Sequence, residues 1–267
     1  MRTRSAITWR DILIIVALCL LLVVGSLTIQ DEFATATHTV DSPLTLVAWG
    51  LTLASGVLLY VSRWGVIPSL MWLNPFMAVA VNLAFSTVMY NADLPFYFDT
   101  IGTMFIAIIY GPVWGMSTAL FTAAMASLYA PSDLAFVPVG VAVAIFIGTA
   151  AQREKLTSVS NVMITGLLTG VLAGLLALSP AFAKNAVGLN ISSGDLTAFY
   201  RMLVHNDDLA LVMQSLTSDP LDKALSLLLV CFCIRNNPRF IRRLYEYRGT
   251  EEAIGRVLSD PPYGTLR

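Results

Sequence analysis

Asp99, Thr100 and Thr103 stand inside residues 94–130, a run that is otherwise apolar almost throughout. A carboxylate in such a run is costly unless a partner within the protein offsets it. Phe96, Tyr97 and Phe98 come immediately before it, Tyr90 and Asp93 a few residues earlier, and Tyr129 near the end of the run. Asn82 lies upstream in another apolar stretch. Aromatic walls with a few polar anchors are the usual make-up of a small-molecule site, and a single acid among aromatics suits a cationic or hydrogen-bonding heterocycle. A second reading of the same residues has Asp99 capping a helix at the lipid–water boundary, with the aromatics forming an interfacial belt. Asn82 likewise reads as a ligand contact or as an interhelical hydrogen bond.

Binding is the chemistry these residues suit; no convergent acid–base pair stands out, so no enzyme is expected. Cys231-x-Cys233 lacks His partners and puts its two thiols on different helix faces, while Cys19, His38 and His205 are scattered. No metal and no cofactor is expected. Rossmann, P-loop and HExxH signatures are absent, and nothing points to nucleic acid.

The elements that must position these residues are membrane helices. Hydrophobic residues make up 57% of the 267 and charged residues only 12%, against roughly 25% charged in soluble proteins. Mean hydropathy is +0.73. Apolar runs fall at residues 12–29, 44–62, 72–90, 98–110, 113–130, 134–151, 161–183 and 221–234, which predicts an all-α integral membrane protein of eight transmembrane helices. The first run, preceded by Arg2, Arg4 and Arg10, reads either as a retained helix or as a cleaved signal, and its length favours the helix. Residues 195–204 and 207–216 carry amphipathic patterns. Of the 16 Lys and Arg residues, only Lys184, Arg201 and Lys223 fall opposite the N-terminus in this topology, which predicts that both termini are cytoplasmic.

Other spacings bear on packing. Gly166, Gly170 and Gly174 line one helix face and let another backbone approach closely, within the bundle or from a partner subunit. Ala80 and Ala84 read the same way. Gly111-Pro112 is a helix stop followed by a restart. Arg235, Arg239, Arg242 and Arg243 repeat at near-helical spacing, suiting anionic lipid or a docking partner.

From residue 74 onward the chain resembles the substrate-binding S components of energy-coupling-factor (ECF) vitamin transporters. The resemblance rests on Phe98-Asp-Thr-Ile-Gly-Thr103, on Gly111-Pro-Val-Trp-Gly115, and on Pro220-Leu-Asp-Lys223 running into an apolar helix that ends Arg235-Asn-Asn-Pro238. It implies a six-helix core over residues 72–238, with two extra helices in residues 1–71 and a basic cytoplasmic tail from 239. It further implies a membrane subunit that captures a vitamin-like molecule outside a prokaryotic cell and passes it to a transmembrane coupling subunit and cytoplasmic ATPases. Ala80 and Ala84 match the family's contact with the coupling subunit, and residues 91–98 with Asp99 match its ligand loop. The alternative function is a non-transporting sensor or assembly subunit built on the same bundle.

Overall fold

The computed structural model of the chain describes residues 7–28, 42–65, 69–92, 94–186 and 194–237. Asp93, His38 and the tail arginines Arg239, Arg242 and Arg243 lie outside the described residues. Nine α-helices occupy the described part: α1 (Trp9–Thr28), α2 (Pro43–Ser62), α3 (Asn74–Asn91), α4 (Ile101–Tyr110), α5 (Pro112–Ala126), α6 (Val137–Gln152), α7 (Val159–Ala186), α8 (Gly194–Val204) and α9 (Asp207–Asn236). No strand occurs among the described residues.

Local chemistry explains where the helices begin and end. Ser42 caps α2 by accepting from the Thr45 N–H, with Pro43 in the first turn. Gly111 takes φ +93° to end α4, and Pro112 starts α5 at once. The Asn206 side chain accepts from the Leu209 N–H to open α9, and Asp207 and Asp208 sit in its first turn, where carboxylates suit the helix dipole.

Polarity runs the opposite way from that of a soluble domain. Large apolar side chains face outward, among them Leu22, Met77, Ile164, Leu168 and Phe232, whereas Thr52, Ser117, Thr118, Asn82 and Lys223 are buried. Five candidate spans combine the length and apolarity needed to cross a bilayer: Trp9–Thr28, Pro43–Ser62, Met71–Asn91, Pro131–Gln152 and Val159–Phe182. Apolar exteriors on helices of this length make the chain an all-α membrane protein.

Among the described residues, these five, and not the expected eight, meet both criteria. With 10 residues α4 is about 15 Å long, half of a bilayer core of roughly 30 Å. Its helix begins at Ile101 rather than 98 because Phe98 takes a left-handed conformation. With 15 residues α5 also falls short, ending at Ala126 rather than 130. The 30-residue α9 is long enough, but it carries Asp219, Asp222, Lys223 and Arg235. It also runs unbroken through Pro220, so the amphipathic segment 207–216 and the run 221–234 form a single helix.

Two buried clusters hold the bundle together. One draws Met104, Ile106 and Ile109 of α4 against Trp114 of α5, Ile147 of α6, and Leu227 and Val230 of α9. The other joins Ala17 of α1 and Ala48 and Leu59 of α2 to Leu120 of α5 and Ala144 of α6. Hydrogen bonds fasten α2 to α5: Ser117 Oγ donates to the Gly56 carbonyl at 2.9 Å, and Trp49 Nε1 to the Ala124 carbonyl at 2.8 Å. The glycine face of α7 packs on α9. A Cβ at Gly166 would meet the Ala224 backbone, one at Gly170 the Pro220 backbone, and one at Gly174 the Ser215 carbonyl and Asp219 carboxylate. Within the bundle, that face serves close helix packing.

Candidate functional site

The chain emerges from α3 and crosses to α4 through residues 94–100, and this connection meets the middle of α9. Lys223, on the second half of α9, is 2% exposed. Its Nζ donates to Asp222 Oδ2 at 2.6 Å and to Asp99 Oδ1 at 2.8 Å. Asp222 is fully buried, and its Oδ1 accepts the Tyr97 and Phe98 N–H groups at 3.0 and 2.9 Å. One carboxylate therefore binds an ammonium through one oxygen and holds the connecting loop through the other.

One turn earlier on α9, Asp219 accepts from Ser215 Oγ at 2.8 Å, and Ser215 also reaches the Gly174 carbonyl at 3.3 Å. Two carboxylates thus pair directly with one buried ammonium, and a third, Asp219, lies one turn away on the same helix. Such a group is stable only when nearly every member is paired, and here the hydrogen bonds to Asp222 and Asp219 supply most of that pairing.

Phe98 has φ +49°. A bulky residue in the left-handed region carries a cost of order 1–3 kcal/mol, which persists only where the surroundings over-determine it. Here the Asp222 bonds on two successive N–H groups do so. The Phe98 ring lies 6.1 Å from Phe96 and 6.5 Å from Phe85, an aromatic group beside the carboxylate of Asp99.

Asp99 keeps 44% of its side chain exposed, and its Oδ2 accepts no hydrogen bond among the described residues. It does not cap α4. Thr100 holds the N-cap position without a side-chain cap bond, and its buried Oγ1 has no partner. The cluster thus offers a fixed carboxylate, a backing ammonium, an unpartnered hydroxyl and aromatic faces.

The other residues read from the sequence take varied places. Asn82 is fully buried: its Nδ2 donates to Thr103 Oγ1 at 3.0 Å and Thr122 Oγ1 at 2.9 Å, and its Oδ1 accepts the Gly102 N–H at 2.7 Å. Asn82 and Thr103 therefore serve as a three-helix clasp between α3, α4 and α5. Phe96 and Tyr97 are half-buried beside Asp99. Tyr90 and Tyr129 stand out, 68% and 90% exposed. Ala80 and Ala84 lie on the exposed side of α3.

Asp222, Lys223 and Asp219 were not among the site residues expected from the sequence. The signal was present in it: adjacent opposite charges at the mouth of an apolar run obey the same logic that singled out Asp99. Among the described residues, no group of three or more His, Cys, Asp or Glu side chains could hold a metal ion.

Comparison with known protein families, with characterised proteins and with solved structures finds no match to this chain.

Proposed function

We propose that this chain is the membrane substrate-binding subunit of an ATP-driven uptake system of the energy-coupling-factor type, taking a small vitamin-like molecule. One observation carries the reading. Two of the three stretches on which the family resemblance rests meet in space: Asp99, from the Phe98–Thr103 segment, pairs at 2.8 Å with Lys223, from Pro220–Lys223. An Asp held by a buried Lys presents one free oxygen beside Phe96 and Phe98. That oxygen is suited to a donor or cationic group on a ligand whose ring stacks on the aromatics.

In this reading α9 crosses the bilayer as well, and the short α4 and α5 form membrane segments within the bundle, giving with the five apolar spans eight segments, six of them forming the core. Both termini are cytoplasmic, following the distribution of Lys and Arg. Asp222 ties the ligand loop to α9, so a ligand that moves the loop also loads α9. The chain has no ATPase motif, so transport needs a coupling subunit and ATPases; Ala80 and Ala84, on the exposed side of α3, are the proposed contact.

Purification in mild detergent tests this directly. A coupling subunit and ATPases should co-purify, and one member of a vitamin panel should raise the melting temperature of wild type but not of Asp99→Asn. A lone chain under several gentle conditions, stabilised by no vitamin, would overturn the reading.

The rival reading, a membrane sensor, gains from the Ser117–Gly56 and Trp49–Ala124 hydrogen bonds, which tie α2, the second of the extra N-terminal helices, to α5. Ligand-dependent change in tail contacts without uptake would favour it.

A further inference from the structure

At the other end of the bundle from Asp99, the end of α2, the α4–α5 turn and the end of α6 enclose a cavity of about 200 Å³. Arg63, Gln152 and Tyr110 line it together with the backbone turn from Gly111 to Trp114. Arg63 directly follows α2 and is half-buried. Among the described residues, its guanidinium has no carboxylate within ion-pair distance and makes no side-chain hydrogen bond.

The acid whose charge reaches Arg63 is Asp11, which stands beyond ion-pair distance and whose Oδ2 accepts the Thr8 N–H at 2.9 Å and the Thr8 hydroxyl at 2.7 Å. The Arg10 guanidinium adds a second positive charge nearby. Burial, then Arg10, pushes the Arg63 pKa down, with Asp11 opposing, yet a guanidinium stays charged at any ordinary pH. The result is a half-buried cation at a cavity with no paired carboxylate among the described residues, and an anion there would offset that cost.

We propose that this cavity binds a phosphate-class oxyanion, with Arg63 as its principal ligand. A guanidinium fork matches two oxygens of a phosphate at once. Gln152 contributes a side-chain amide. The first turn of α5 adds to this: its Val113 and Trp114 N–H groups, like those of any first helical turn, have no intrahelical acceptor, and no side chain caps them.

The position of the cavity limits such an anion to two sources. Trp64 and Trp72 lie with ring centroids 3.8 Å apart and planes tilted by 38°, and Trp9, 54% exposed, starts α1 at the same end. Tryptophans gathered at helix ends mark the membrane–water boundary. A phosphate at that level belongs either to a phospholipid headgroup or to the adjoining solution, and both present the same chemistry. The proposal uses none of the Asp99 cluster and stands whichever ligand that cluster takes.

The full chain in dodecyl maltoside micelles, which carry no phosphate, is the material for the test. Its thermal midpoint is followed against phosphatidylglycerol, phosphatidylcholine and, at constant ionic strength, inorganic phosphate against chloride. A rise with lipid alone identifies a headgroup, and a rise with inorganic phosphate a soluble ion.

Arg63→Gln should raise the half-maximal concentration about tenfold or more, the loss expected for a hydrogen bond to a charged group. Arg63→Lys should retain part of the effect. Arg153→Gln, the same change of charge one residue beyond the cavity lining, should leave it unchanged. No stabilisation of wild type by any of the three probes overturns the proposal, and so does stabilisation that persists in Arg63→Gln or is lost equally in Arg153→Gln. The wild-type measurement stands without the variants should Arg63→Gln fail to fold, and Gln152→Leu then supplies the weakened site.

Discussion

Lys223 and Asp99, 124 positions apart in sequence, are joined by a 2.8 Å ion pair in which the ammonium is almost wholly buried and the carboxylate nearly half exposed. The asymmetry divides the labour: Asp222, fully buried at 2.6 Å, compensates the Lys223 charge within the protein, while Asp99 keeps a face to the surroundings.

That division predicts an order of stabilities. Asp222→Asn removes the buried partner of Lys223 and weakens the anchor of the Tyr97 and Phe98 N–H groups, and should cost about 3–5 kcal/mol. Asp99→Asn removes a half-exposed partner and should cost about 1 kcal/mol or less. Thermal or denaturant unfolding in one detergent checks the ranking. Equal losses would mean that Asp99 belongs to the scaffold.

The left-handed backbone at Phe98 makes a second prediction. Phe98→Gly and Phe98→Ala both lose the ring, but only alanine keeps a Cβ in a conformation that disfavours one. The glycine variant should therefore be the more stable by about 1 kcal/mol. An alanine variant as stable as the glycine one would contradict the left-handed φ.

Glycine substitutions should sort by what their Cβ would touch. At Gly170 a methyl group meets the Pro220 backbone, so Gly170→Ala should separate α7 from α9 and lower the melting temperature. At Gly25 and Gly50 nothing lies within 4 Å, and alanine there should be neutral or stabilising by up to about 1 kcal/mol, its advantage in helix propensity. Melting curves of the three variants side by side are sufficient.

Asn82 separates scaffold from site. Its three hydrogen bonds are buried, so Asn82→Ala should cost about 1–3 kcal/mol by leaving the Gly102 N–H without its acceptor. The loss should be the same with and without ligand. If Asn82→Ala abolished ligand binding in a protein of unchanged melting temperature, Asn82 would be a ligand contact instead.

Much of this architecture is legible in the residue order. Apolar run length and charge depletion mark the membrane helices, because a bilayer core imposes a minimum length and an apolar surface. The ends of α2 and the α4–α5 turn follow from Ser42-Pro43 and Gly111-Pro112, whose preferences are local. Asp99 stands out because an acid in an apolar run needs a partner, but the sequence does not say which partner.

Tertiary structure alone decided that Lys223 and Asp222 answer Asp99, that Asn82 is spent on Thr103 and Thr122, and that the Gly166–Gly174 face is taken up by α9. It also shortened α4, because Phe98 leaves the helical region when Asp222 takes hold of its N–H. Each outcome depends on a contact between residues distant in the chain, and such contacts leave no periodicity to read. The carboxylate at Asp99 began as a group in need of compensation, and packing decided both where the compensating charge comes from and which oxygen stays free.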